Sequence, residues 1–183
     1  MRTEARIREN SGWLHGLESA LENTGPQGAE TVRYLRENSI RIGLRQQSAG
    51  ARWTIDRWIE IHPRYAEGPG ISPYGLSLVI HEVRHLQQGI FTALSVYGEL
   101  DAWRAQFGFL NELSVEVPGS ESQRASIRQL LALPFGWERG ALSTARRLIR
   151  EYGGRAYRAD LLPLYPVHRE IAYVITGRVP GRF

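Results

Sequence analysis

Residues 72–89, SPYGLSLVIHEVRHLQQG, constrain the fold more than any other stretch. Ser72 and Pro73 supply an N-cap and a first-turn proline, Gly89 supplies a C-terminal stop, and between them His81, Glu82 and His85 have H-E-x-x-H spacing. Residues four apart on a helix differ by about 40° in azimuth and one turn in height, so the two imidazoles can reach one metal ion from the same side. Glu82 falls about 80° from that side, beside an ion rather than on it, where a general base must stand to take a proton from an activated water. Leu76, Val79, Ile80, Val83 and Leu86 form an apolar arc opposite the histidines, which predicts one face for a core and the other for a ligand. With 5 histidines in 183 residues, such spacing arises by accident in roughly 1% of chains. A lone histidine here would simply lie on a polar face, whereas the paired spacing with a glutamate points to a metal.

A zinc site of this kind takes a third protein ligand and keeps one position open. Gly89 predicts a turn, and residues 90–113 read as one long helix returning antiparallel. His81 and His85 lie about eight and four residues before that turn and Glu99 eight to ten after it, so all three reach comparable heights. Glu99 shares a face with Val96, Trp103, Phe107 and Leu110, a costly place for a carboxylate unless a cation or a hydrogen-bond network meets it. The competing reading is a snorkelling carboxylate or one paired with Arg84. Asp101 lies about 200° around from Glu99 and is predicted to face solvent.

His81-Glu82-x-x-His85 followed by Glu99-Leu100-Asp101-Ala102 resembles the zincin metallopeptidases of the gluzincin type, in a compact form with a short gap before an E-x-x-A helix. The resemblance covers about residues 50–113. It implies Zn2+ held by His81, His85 and Glu99, Glu82 as the catalytic base, and a peptide or protein substrate. Two departures stand out. Many gluzincins place an acidic residue four after the glutamate ligand, where it steadies a histidine, and this chain has Trp103 there. The glycine and third histidine of metzincins are missing, so the resemblance leaves the groups behind the ligands unassigned.

At 183 residues and 42% hydrophobic content the chain suits one well-filled core, and residues 1–183 are read as a single domain. All 23 basic residues are arginine, spread among glutamates, so the net charge of +4 forms no basic run. Nucleic acid is a possible partner that this distribution does not favour. With no cysteine there is no disulfide, thiolate site or cysteine nucleophile. The charged first ten residues and the lack of a long apolar run predict a cytoplasmic protein with no membrane partner. No internal repeat, Gly-rich phosphate loop or G-x-S-x-G elbow occurs.

Elsewhere, helices are predicted over residues 3–23, 29–37, 121–133 and 142–152, with a last one opened by Pro166 and stopped by Gly177. Residues 39–47 read as a strand, 48–51 as a turn, and 52–62 as one unbulged strand, making a hairpin whose exposed edge could pair with an extended peptide. His62 at its end is a candidate extra ligand or oxyanion partner. Tyr165, His168 and Tyr173 in the tail are further oxyanion candidates, with nothing in their spacing to select one. The expected fold is α+β, mostly α: a minimal zincin-like core in which the His81 helix packs on the Glu99 helix beside a small antiparallel β-hairpin or sheet. The expected activity is zinc-dependent peptide hydrolysis. The alternatives are a non-catalytic metal-binding or interaction protein on a zincin scaffold, and an all-helical partner-binding domain without metal.

Overall fold

The computed structural model describes residues 11–65, 71–154 and 157–178. It is α+β and mostly α, with eight α-helices and one three-stranded sheet among the described residues. The described residues form two compact units, one of those up to residue 84 with 108–116, the other of 85–107 with those from 117 onward.

In the first unit, α1 (Ser11–Glu22) and α2 (Pro26–Glu37) form a helical pair. Leu17 and Leu21 of α1 and Val32 and Leu35 of α2 are buried, each side chain contributing about 1.5–3 kcal/mol by leaving water. Pro26 occupies the start of α2, where a missing N–H costs nothing. The helix therefore begins three residues earlier than expected. The predicted portion of α1 before residue 11 lies outside the described residues.

The sheet departs from the expected hairpin. Its strands are β1 (Arg41–Leu44), β2 (Ala51–Trp53) and β3 (Trp58–Ile61), in the order β1-β3-β2. β2 and β3 pair antiparallel, but β1 runs parallel to β3, with Ile42 opposite Ile59, so the sheet is mixed. Residues 52–62 are thus not one strand but the antiparallel hairpin itself. Thr54 closes its turn: Thr54 N–H donates to Trp58 O at 2.9 Å, Arg57 N–H donates to Thr54 O at 3.1 Å, and the Thr54 hydroxyl accepts from Trp58 N–H at 3.1 Å. Arg57 adopts a left-handed φ of 63° to complete it, and Ile55, which keeps the strand's alternation in sequence, is 80% exposed at the tip.

The helix α3 (Pro73–Gln88) has the predicted ends: Ser72 Oγ accepts from Gly75 N–H at 3.1 Å, and Gly89 follows with φ 73°. Its burial exceeds a single face, since every residue from 75 to 83 is buried.

In the second unit the predicted long helix is broken. A short α4 (Ile90–Ala93) precedes α5 (Val96–Glu112), with Leu94 and Ser95 between them. Ser95 Oγ donates to Thr92 O at 2.6 Å and accepts from Gly98 N–H at 3.1 Å. The first two amides of α5 find partners in the tail, Val96 N–H on Pro163 O at 2.8 Å and Tyr97 N–H on Leu164 O at 3.1 Å. A helix start needs such acceptors, and here the side chain and the tail supply them. α6 (Glu121–Ala132) opens on a reciprocal cap between Ser120 and Gln123 and pairs with α7 (Arg139–Gly153), whose Leu142, Ala145, Leu148 and Ile149 are buried. α8 (Val167–Thr176) ends at Gly177 in the left-handed conformation, as its sequence predicts. No helix among the described residues is long and apolar enough to cross a membrane.

Candidate metal centre

His81, Glu82 and His85 are 5%, 5% and 3% exposed on α3. They therefore lie on a buried helix and not on a solvated polar face, and groups of this kind need partners once withdrawn from water. Glu99 lies in the first turn of α5, where the helix dipole favours a negative charge. One ligand atom from each of His81, His85 and Glu99 lies within 4.8 Å of the other two.

The two oxygens of Glu99 face different groups. Tyr157 donates its hydroxyl to Oε2 at 2.6 Å, and the Trp103 indole N–H contacts the same oxygen at 3.2 Å. Trp103 also donates to the Tyr157 oxygen at 2.7 Å. An indole nitrogen only donates, so the phenol accepts from Trp103 and keeps its own proton for the carboxylate. Oε1 is turned to His85, whose Nε2 is 3.6 Å away. Two donors at zinc bonding distances and a tetrahedral angle would stand about 3.4 Å apart, so this pair has the spacing of two ligands on one ion. Two nitrogens and one carboxylate oxygen form a donor set that zinc accepts.

Trp103 occupies the position where the resembled family carries an acid, and it steadies the glutamate instead of a histidine. Its ring packs edge-on against Tyr157 and Tyr152, with centroids 5.3 Å away in both cases. The support for His85 comes from α3 itself: His85 Nδ1 lies 3.3 Å from Gln88 Oε1, and Gln88 Nε2 donates to Asp101 Oδ2 at 2.8 Å. Asp101 is therefore half-buried and bonded, not facing solvent as predicted, because α3 ends alongside the first turn of α5. It is not among the three grouped ligands.

The remaining candidates stand elsewhere. His62 follows β3, and its Nδ1 accepts from Arg64 N–H at 3.1 Å. Tyr165 is fully buried with Trp137 and Tyr173 nearby, and burial pushes its phenol above the ordinary range against the pull of Arg139. Tyr173 lies under the Arg139 guanidinium at 4.5 Å, and His168 is exposed on α8. The tyrosine that reaches the carboxylate is Tyr157, from the irregular segment after α7, where no periodicity singles it out. Gln88 was legible in principle, since it stands three after His85 on the same helix face. Compared with family models, with curated proteins and with solved structures, the chain gives no match.

Proposed function

We propose that this chain is a zinc-dependent metallopeptidase of the gluzincin type, with His81, His85 and Glu99 as the residues that hold the ion. The observation that carries the reading is the convergence of these three side chains, two of them buried histidines, with Glu99 braced on one oxygen and turned by the other to His85. When bound, zinc supplies Lewis acidity, polarising a scissile carbonyl and bringing a water's pKa towards neutrality. Glu82 is the proton carrier. Its carboxylate takes the proton from the attacking water and returns it to the leaving amine nitrogen, and its 5% exposure keeps bulk water from competing. Tyr157 and Trp103 hold the Glu99 carboxylate in place, so that its orientation need not be bought again in each turnover. The substrate is a peptide or protein.

The test is Glu82→Gln, which keeps the side-chain shape and removes the base. The variant should retain stoichiometric zinc and its melting temperature while peptide hydrolysis falls by at least about 100-fold, the lower end for a positioned general base. Equal inertness of both proteins across a broad peptide library, with zinc bound in each, would overturn the hydrolase reading in favour of a non-catalytic metal-binding protein.

A further inference from the structure

Gln88 is half-buried at the last turn of α3 and touches both sides of the candidate centre. Its amide nitrogen donates to Gly98 O at 2.9 Å and to Asp101 Oδ2 at 2.8 Å. A backbone carbonyl only accepts, so the amide must present its nitrogen to α5 and its oxygen to His85. That oxygen lies 3.3 Å from His85 Nδ1. It too only accepts, which places a proton on Nδ1. In the neutral ring the lone pair is then on Nε2, the atom that lies 3.6 Å from Glu99 Oε1.

We propose that Gln88 is a positioning residue of the metal centre: it selects the Nδ1–H tautomer of His85 and so presents Nε2 to the ion, with Gly98 and Asp101 fixing which end of the amide faces the histidine. The inference rests on the zinc reading above and deepens it. Gly98 is part of the device, because a Cβ there would lie 2.9 Å from Gln88 Oε1 and 2.1 Å from Thr92 O. The bare glycine leaves room for the amide beside the start of α5. Where a direct carboxylate would both orient and polarise the imidazole, this relay passes through a neutral amide whose own direction is set by Asp101.

The experiment combines zinc competition titration with 15N spectroscopy of the imidazoles in the full chain. In metal-free wild type, at a pH where the ring is neutral, His85 should be protonated at Nδ1 and bare at Nε2. Gln88→Met, close in shape and only a weak acceptor, should mix the two tautomers and weaken zinc binding by about 10- to 100-fold, the usual effect of losing such a partner. The pair Gln88→Glu with Asp101→Asn restores an acceptor for His85 and a donor from residue 101 to residue 88, at the cost of the hydrogen bond to Gly98 O, and should recover the tautomer and part of the affinity. A purely structural role for Gln88 would predict no such rescue. A neutral His85 ring with Nε2 protonated and Nδ1 bare in the metal-free wild type, or wild-type affinity and tautomer in a folded Gln88→Met, overturns the proposal. If Gln88→Met fails to fold, the wild-type tautomer decides. If wild type binds no zinc, the metallopeptidase reading fails, and the tautomer still decides the role of Gln88.

Discussion

Two glutamates, Glu60 in the sheet and Glu99 on α5, are withdrawn from solvent in different ways. Glu60, on the central strand β3, is 4% exposed and held on both oxygens by arginines. Arg45 reaches Oε1 at 2.8 Å, and Arg52, its register partner on β2, takes Oε2. Gly43 lies opposite on β1. Burial alone would raise the Glu60 pKa, but the two guanidiniums outweigh it and hold it below the ordinary value. Glu99 has Oε2 held by a phenol and an indole, both neutral donors, while Oε1 faces an imidazole. Neutral donors orient a carboxylate without cancelling its charge. Glu60 is spent on closing the sheet, whereas the phenol and the indole on Glu99 are neutral donors that leave its charge for an ion in the proposed centre.

Exchanging the two residues' fates in experiment sharpens the contrast. The largest effect is expected from Glu99→Gln, which should weaken zinc by at least about 100-fold, beyond the usual range for losing a supporting group. His81→Ala should do the same, and unchanged metal content in both His81→Ala and His85→Ala would remove the site altogether. Glu60→Gln should leave zinc titrations as in wild type and cost about 1–3 kcal/mol of stability in urea, because two guanidiniums lose a charged acceptor. A zinc defect in Glu60→Gln would break the comparison. Tyr157→Phe should weaken zinc by about tenfold, the low end for a supporting hydrogen bond, with folding kept by the remaining ring contacts. No change in affinity there would show that Trp103 suffices to orient Glu99.

The pH dependence separates the two carboxylates further. A folded-state pKa below the unfolded one adds stability that is present above the unfolded value and lost as pH falls through the folded one. Glu60 should therefore contribute fully near neutrality and progressively less as pH drops below the ordinary 4.5. The smallest predicted effect is a flatter melting temperature between pH 7 and pH 3 in Glu60→Gln than in wild type. A parallel curve would mean that the arginines do not lower the Glu60 pKa in solution.

Elements with local signals were legible. α3, α6 and α8 begin and end where Ser72, Ser120, Pro166 and the glycines 89 and 177 place them, because caps and stops act within one turn of backbone. The hairpin was misplaced because Ile55 continues the apolar alternation of Trp53 and Ile59 through what is a turn. Only the Thr54 hydrogen bonds and the positive φ of Arg57 reveal it. The break before α5 was hidden for a different reason. Ser95 supplies a cap locally, but the carbonyls that receive Val96 and Tyr97 come from residues 163 and 164, remote in sequence.

For the candidate centre the division follows the same physics. Spacing along one helix determines that His81 and His85 share a side and that Glu82 does not, and the apolar stripe of α5 singles out Glu99, since helical periodicity is a property of the chain itself. What turns Glu99 and how His85 is held were decided only by tertiary structure. Tyr157 approaches from beyond α7, and Gln88 links Asp101 to His85. Hydrogen bonds between remote segments depend on where the backbone brings their donors, and no pattern in the residues before and after Tyr157 encodes that meeting.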